Sequence, residues 1–195
     1  MPTSLPLGDA SPARPLDLAR TPLPAPLRPR AALAVLDVTE FHGATSGGVR
    51  TYLDEKAAYV RARPELRQAI VVPGPSDAIG ESDGVRWYQL RGPRVPLQPP
   101  YRFMLAMRQS RRIVEHERPH VVEVGSPGLV PWIVRHATRR AGIPLVYFHH
   151  GHYPAQLGGG SALRARVGAL AWAYARRIDR LFARTLVASD FVADA

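Results

Sequence analysis

From Ala31 onward, short apolar runs alternate with longer segments whose apolar residues recur every three or four positions. That texture predicts repeated strand–helix units around a mainly parallel sheet. The run AALAVLDV (Ala31 to Val38) predicts a buried first strand, and Gly48 to Val60 the helix after it, with Val49, Leu53, Ala57 and Val60 on one face. Further strands are predicted at Gln68 to Val72, ending in Pro73-Gly74-Pro75, and at Val85 to Leu90 after a polar loop. A proline-rich bend, Pro93 to Pro100, leads into a predicted helix from about Tyr101 to Glu117 that stops before Pro119. The next unit is the cleanest: strand Val121 to Val124, helix Pro127 to Ala141 closed by Gly142, and strand Pro144 to His149. Ser161 reads as the N-cap of a basic helix to about Ile178, followed by a strand around Arg184 to Ala188 and a helical start at Ser189. No internal repeat recurs at a fixed period.

Residues 1–30 break this pattern. They hold eight of the twenty prolines, show no apolar periodicity, and read as a disordered or polyproline arm, so the folded domain is expected over 31–195. At 195 residues the chain fits one α/β domain that buries about 70% of its unfolded surface. With 46% hydrophobic and 22% charged residues it lies far from the composition of disorder, and no apolar run is long enough for a membrane span. The absence of cysteine excludes disulfide scaffolds and thiolate chemistry. The opening MPTSLPLGDASPARP has neither a basic nor an apolar signal-like region, so a cytoplasmic location is the expectation.

The formal charge of +10 comes almost wholly from arginine, since Lys56 is the only lysine among 26 basic residues. Arginine's planar fork suits phosphate, which points to a phosphorylated small molecule, anionic lipid headgroups or nucleic acid. One basic cluster holds Arg102, Arg108, Arg111 and Arg112 around Phe103 to Met107. Another follows Ser161, with Arg164, Arg166, Arg176, Arg177, Arg180 and Arg184 beside Trp172 and Tyr174. Either is a helix with a solvated outer face or one that lies on an anionic membrane. No nucleic-acid motif is present, which disfavours that partner.

Three places could carry chemistry. The loop Thr39 to Gly48 joins the first strand to the first helix, and its Gly47-Gly48 pair suits a phosphate at a helix N-terminus or, more simply, a tight turn. The glycines fit neither G-x-G-x-x-G nor a P-loop, which disfavours nicotinamide and ATP. Phe148-His149-His150-Gly151-His152-Tyr153-Pro154 ends a predicted strand, and three imidazoles in four positions there read as an active-site contribution, with packing or a metal as alternatives. No carboxylate or cysteine completes a metal set, so none is expected. Gly125-Ser126-Pro127-Gly128 lacks the G-x-S-x-G elbow of a hydrolase, and Ser126 reads instead as a cap for the following helix. Asp37, Glu40 and Glu123 lie at strand ends, either orienting a substrate hydroxyl or a histidine or standing as solvated charges.

In this order, Ser46-Gly47-Gly48-Val49-Arg50-Thr51-Tyr52, Arg118-Pro119-His120-Val121-Val122-Glu123-Val124 before Ser126-Pro127, Ala141-Gly142-Ile143-Pro144 and His149-His150-Gly151-His152-Tyr153-Pro154 resemble the N-terminal domain of family 4 glycosyltransferases, which include phosphatidylinositol mannosyltransferases. The resemblance covers about residues 31–190. It implies a Rossmann-like, mainly parallel sheet with helices on both faces, the N-terminal half of a GT-B fold. It further implies retaining, metal-independent sugar transfer from a nucleotide-sugar donor to an acceptor held mainly by this half, with no bound cofactor. By position Gly48 matches the glycine near the donor diphosphate, with Gly47 its turn partner. His150 matches the active-site histidine, with His149 the next candidate, and Arg50, Glu123, Ser126 and His152 are the acceptor-side candidates. The family often has Asp and His where this chain has His120 and Glu123. Its donor-binding second domain, with a paired-glutamate motif, is not expected within these residues, so the sequence is either a truncated piece of such an enzyme or is completed by a separate chain, and turnover by it alone would be negligible. The rival readings are a non-catalytic basic module for anionic membrane or nucleic acid, and an esterase-like hydrolase using Ser126.

Overall fold

The computed structural model describes residues 16–42, 47–82, 84–96, 98, 101–149 and 162–187. The strands are β1 (Leu33–Val38), β2 (Leu66–Gly74), β3 (Ala78–Ser82), β4 (Val85–Arg91), β5 (Val121–Val124), β6 (Leu145–His149) and β7 (Arg184–Val187). The helices are α1 (Gly47–Arg61), α2 (Met107–Glu117), α3 (Val130–Thr138) and α4 (Ala162–Asp179). All strands join one sheet in the order β3-β4-β2-β1-β5-β6-β7, parallel except for β3 against β4. This is the expected α/β, Rossmann-like architecture.

Alternation along the strands sorts side chains onto two faces. Leu36, Val38, Ala69, Val71, Tyr88, Val122 and Val124 meet Ile113 and Val114 of α2 and Val130, Val134 and Ala137 of α3. The other face carries Ile70, Val72, Val85 and Trp87, covered by Leu53, Ala57 and Val60 of α1, the helical stripe that the periodicity predicts. The chain winds outward from β1 through β2 and β4, then returns to build β5, β6 and β7 on the opposite side. The winding therefore reverses between β1 and β5, and their carboxyl ends open the crevice where such sheets bind ligands.

Several elements differ from expectation, each because a tertiary partner overrides the local pattern. The polar loop before Val85 contains β3, a short edge strand paired on one side only, joined to β4 through Gly84 at φ +88°. The helix expected from Tyr101 begins at Met107, because the preceding backbone is bonded elsewhere: Phe103 N–H to Pro93 O at 2.9 Å, and Met104 N–H to the Glu40 carboxylate at 2.8 Å. α3 begins at Val130 instead of Pro127, since Gly128 takes the left-handed φ of +73° that a helix interior excludes.

The arm reading of residues 1–30 is corrected for 16–30, while 1–15 lie outside the described residues. Leu18 is only 1% exposed within the main core, and Leu23 packs beside it. Leu18 N–H donates to Asp77 Oδ2, and Arg112 Nη1 donates to Leu18 O at 2.8 Å. Further on, Arg86 donates to Pro24 O and Ala25 O, and Arg28 Nη1 reaches Val60 O, Arg63 O and Leu66 O. Proline-rich backbone has few N–H donors but keeps every carbonyl, and side-chain donors from the sheet and helices occupy them. The segment is a strap on the domain. Leu18→Ala is expected to lower unfolding free energy by about 2–4 kcal/mol in urea denaturation, whereas a loose arm would give a change near zero.

Candidate functional site

At the mouth of the crevice, β1 runs out through Thr39 and Glu40 and β5 through Gly125 and Ser126. Ser126 is fully buried: its Oγ lies 3.0 Å from Thr39 Oγ1 and accepts the Glu40 N–H at 2.6 Å. That bond ties the two strand ends together. Ser126 is therefore not the helix cap: Leu129 precedes α3, and no side chain caps it. Burial equally removes it from a hydrolytic role.

Glu40 turns its carboxylate back toward the 101–106 segment, where Oε1 accepts the Met104 N–H, while Oε2 stands beside Gly128. Burial pushes its pKa up to about 7, with the Met104 hydrogen bond pulling the other way. The carboxyl thus exchanges its proton near neutrality at the topological switch point. Beside it, His42 has its ring centroid 5.2 Å from that of Trp87, and burial holds its pKa down, with Asp54 opposing and Arg50 adding to that effect.

Beneath the mouth lies a polar network on the α1 face. Asp37 and Glu123 stand opposite one another in the β1–β5 register. Lys56 Nζ bridges them, 2.5 Å from Asp37 Oδ1 and 2.8 Å from Glu123 Oε2. Tyr52 Oη donates to Glu123 Oε1 at 2.8 Å, and Gln68 Nε2 to Asp37 Oδ2 at 2.7 Å. Burial lowers the Lys56 pKa, but the two carboxylates outweigh it and keep the ammonium charged; burial and then Asp37 raise that of Glu123. Asp37 and Glu123 are thus buried partners of a cation, and the solvated-charge reading fails for both. A cleft of about 10 Å³, room for about one water, opens above them between Thr39, Val49, Tyr52 and Gly125.

Gly47 and Gly48 open α1 at this same edge, and a Cβ on either would meet nothing within 4 Å. Neither holds a left-handed φ, so the backbone itself does not demand glycine there. First-turn N–H groups and an approach that no described residue covers are what an anion needs. Arg50 pairs with Asp54 along the helix at 3.6 Å, both half-exposed. His149 ends β6, its ring edge-on to Tyr147 at 5.4 Å, and the neighbouring Phe148 stacks on Tyr52 with centroids 4.4 Å apart. Tyr52 lies one turn after Gly48, so the first turn of α1 and the histidine-bearing strand end are neighbours. His150 and His152 lie outside the described residues.

The residue that sequence reasoning passed over is Lys56. Its signals were present: it is the lone lysine, four positions after Tyr52 on a helix facing two inward carboxylates. Among the described residues, no cluster of three or more His, Asp or Glu could hold a metal ion. Glu40 yields a signed expectation. Its folded pKa of about 7 exceeds the ordinary 4.5, so in that window the folded state keeps a proton that the unfolded chain releases, and stability falls as pH rises through it. Glu40→Gln, which keeps an acceptor for Met104, should match wild type near pH 4.5 and exceed it at pH 8 by up to about 3 kcal/mol in urea titrations. An equal difference at both pH values would contradict this.

The model of Glycosyltransferase Family 4 matches residues 46–195. Among solved structures, the chain is similar to MurG of Acinetobacter baumannii, at 10% identity and TM-score 0.46, covering 80% of this chain and 41% of that one. It is similar to the α,α-trehalose 6-phosphate synthase of Burkholderia multivorans at 12% identity and TM-score 0.42, covering 80% and 40%. It is also similar to the apo-form glycosyltransferase GlyE of Streptococcus pneumoniae at 12% identity and TM-score 0.32, covering 74% and 33%. The chain thus spans about two-fifths or less of the length of these proteins. No curated protein matches it.

Proposed function

The chain belongs to glycosyltransferase family 4, and from that premise we propose that it is the acceptor-side domain of a retaining, metal-independent transferase that takes its sugar from a nucleotide-sugar donor. The observation that carries this reading is the pairing of the open Gly47–Gly48 turn with the His149 end of β6 through the Tyr52–Phe148 stack, at the edge where parallel sheets bind ligands. In this reading the N–H groups of the first α1 turn face the donor diphosphate, where the helix dipole offsets charge on the leaving group. His149 stands at the reacting hydroxyl, His150 keeps the catalytic candidacy that the resemblance gives it, and Glu40, near neutrality in pKa, holds an acceptor hydroxyl from the opposite side. Arg50 and His152 stay on the acceptor side as candidates.

A domain of this kind forms one wall of a cleft. Fixing donor and acceptor together in a water-poor site contributes roughly 7–11 kcal/mol to barrier lowering, so we expect the 195-residue chain alone to transfer sugar at least about tenfold more slowly than a complete family member. Titrating UDP-, GDP- and ADP-sugars into the isotope-labelled chain tests the site itself. The Gly47 and Gly48 amides and the His149 imidazole should shift with at least one donor; silence with all three overturns the reading.

A second partner is favoured by one observation. On α4, Val167 and Leu170 lie at helical spacing and are exposed, Leu170 at 71%, with Arg166 and Arg176 on the same helix, while Tyr174 and Arg177 turn to Gly128 and Trp132. No described helix is long and apolar enough to cross a membrane. We propose peripheral contact with an anionic bilayer through this stripe. Flotation with phosphatidylglycerol liposomes should carry the wild-type chain upward and lose it in Leu170→Glu, while neutral phosphatidylcholine liposomes carry neither; equal flotation of both chains would refute it.

A further inference from the structure

We infer that Tyr52 is a positioning residue, one that fixes the Gly47–Gly48 turn of α1 against the His149 end of β6 so that the two move as one unit. What the unit does rests on the glycosyltransferase reading; that it is a unit does not.

Tyr52 is held from three sides. Its ring stacks on Phe148 with centroids 4.4 Å apart and planes 23° from parallel. Its hydroxyl donates to Glu123 Oε1 at 2.8 Å, and Lys56 Nζ lies 5.5 Å from the ring centroid. These contacts come from β6, from β5 and from the next turn of α1. A stack alone lets a ring slide in its own plane, and a hydrogen bond alone lets it swing about the bond, but together they leave one orientation. Glu123 is itself fixed, because its other oxygen accepts from Lys56, which also donates to Asp37 on β1, and Asp37 in turn accepts from Gln68 on β2.

The placement of Phe148 makes this fixation matter. Side chains alternate along β6, so Phe148 faces α1, whereas Tyr147 and His149 face the opposite side, where Tyr147 lies in the main core and stacks on Phe182. The backbone that carries His149 is gripped from both faces, and Tyr52 is the grip on the α1 side. One helical turn earlier come Gly47 and Gly48. On the α1 side, Tyr52 therefore bridges the helix N-terminus and the histidine-bearing strand end. An apolar residue at 52 would fill the space, and replacing a buried ionic network by apolar packing is often neutral or stabilising, so what Tyr52, Glu123 and Lys56 add is direction.

The test follows the Gly47 and Gly48 amide signals and the His149 imidazole titration by NMR in the 195-residue chain, with His149→Gln identifying the imidazole. Tyr52→Ala should shift all three signals together and move the His149 midpoint, whereas Tyr52→Phe, which keeps the stack but loses the bond to Glu123, should move His149 in the same direction by a smaller amount. Should Tyr52→Ala fail to fold, Tyr52→Leu, bulky but unable to stack, replaces it with the same expectation. Movement at the glycine end alone, or a Tyr52→Phe shift at His149 as large as that of the alanine or leucine variant, overturns the inference. A wild-type chain that ignores every nucleotide sugar overturns the proposed function instead and leaves these shifts to decide the coupling.

Discussion

Two carboxylates stand side by side in the centre of the sheet, Asp37 on β1 and Glu123 on β5, in register and facing the same helix. Like charges so placed repel and are costly to bury, and the arrangement holds only if a cation reaches both. Lys56 does so, a compact ammonium on a flexible stem with three donors, in a chain whose other 25 basic residues are arginine. Tyr52 and Gln68 occupy the remaining carboxylate oxygens, so all four oxygens of the pair have donors. The docking of α1 is set by this requirement, and with it the direction in which its first turn points.

A second ionic centre serves the opposite face. Glu117, at the end of α2, accepts from Arg67 and Arg86 at 2.8 and 2.7 Å and from the Tyr88 hydroxyl at 2.5 Å. Arg86 continues outward to the carbonyls of Pro24 and Ala25. Sheet, helix and strap thus meet at one carboxylate. The two centres lie on different faces and share no residue, so packing on one side does not depend on charge balance on the other.

The strand–helix alternation was legible because it rests on apolar periodicity, which is local and survives without knowledge of the fold. What escaped is what depends on distant partners. Residues 101–106 carry a helical pattern, yet their N–H groups find Pro93 O and the Glu40 carboxylate first. Ser126 has the sequence context of a cap, but Glu40 N–H claims its oxygen from 86 positions away. The prolines of the strap look like unstructured chain because their acceptors are served by guanidinium groups from β4 and α2, which no window of sequence contains. Of the site, the Gly47–Gly48 turn and His149 could be placed from spacing at strand ends. Lys56 stood out as the lone lysine, but its partners follow only once Asp37 and Glu123 are seen to be opposite each other.

Besides Asp77 on the Leu18 N–H and His116 on Pro24 O, the strap is held by Arg28, Arg86 and Arg112, all three donating to backbone carbonyls. Guanidinium keeps its charge at any pH a folded protein tolerates, and amide oxygens do not ionise there either. The mouth of the crevice, by contrast, carries Glu40, whose pKa burial pushes up to about 7. Those guanidinium bonds therefore hold unchanged while Glu40 takes up its proton as the pH falls through about 7, so the charge at the mouth of the crevice can change without any of them being touched.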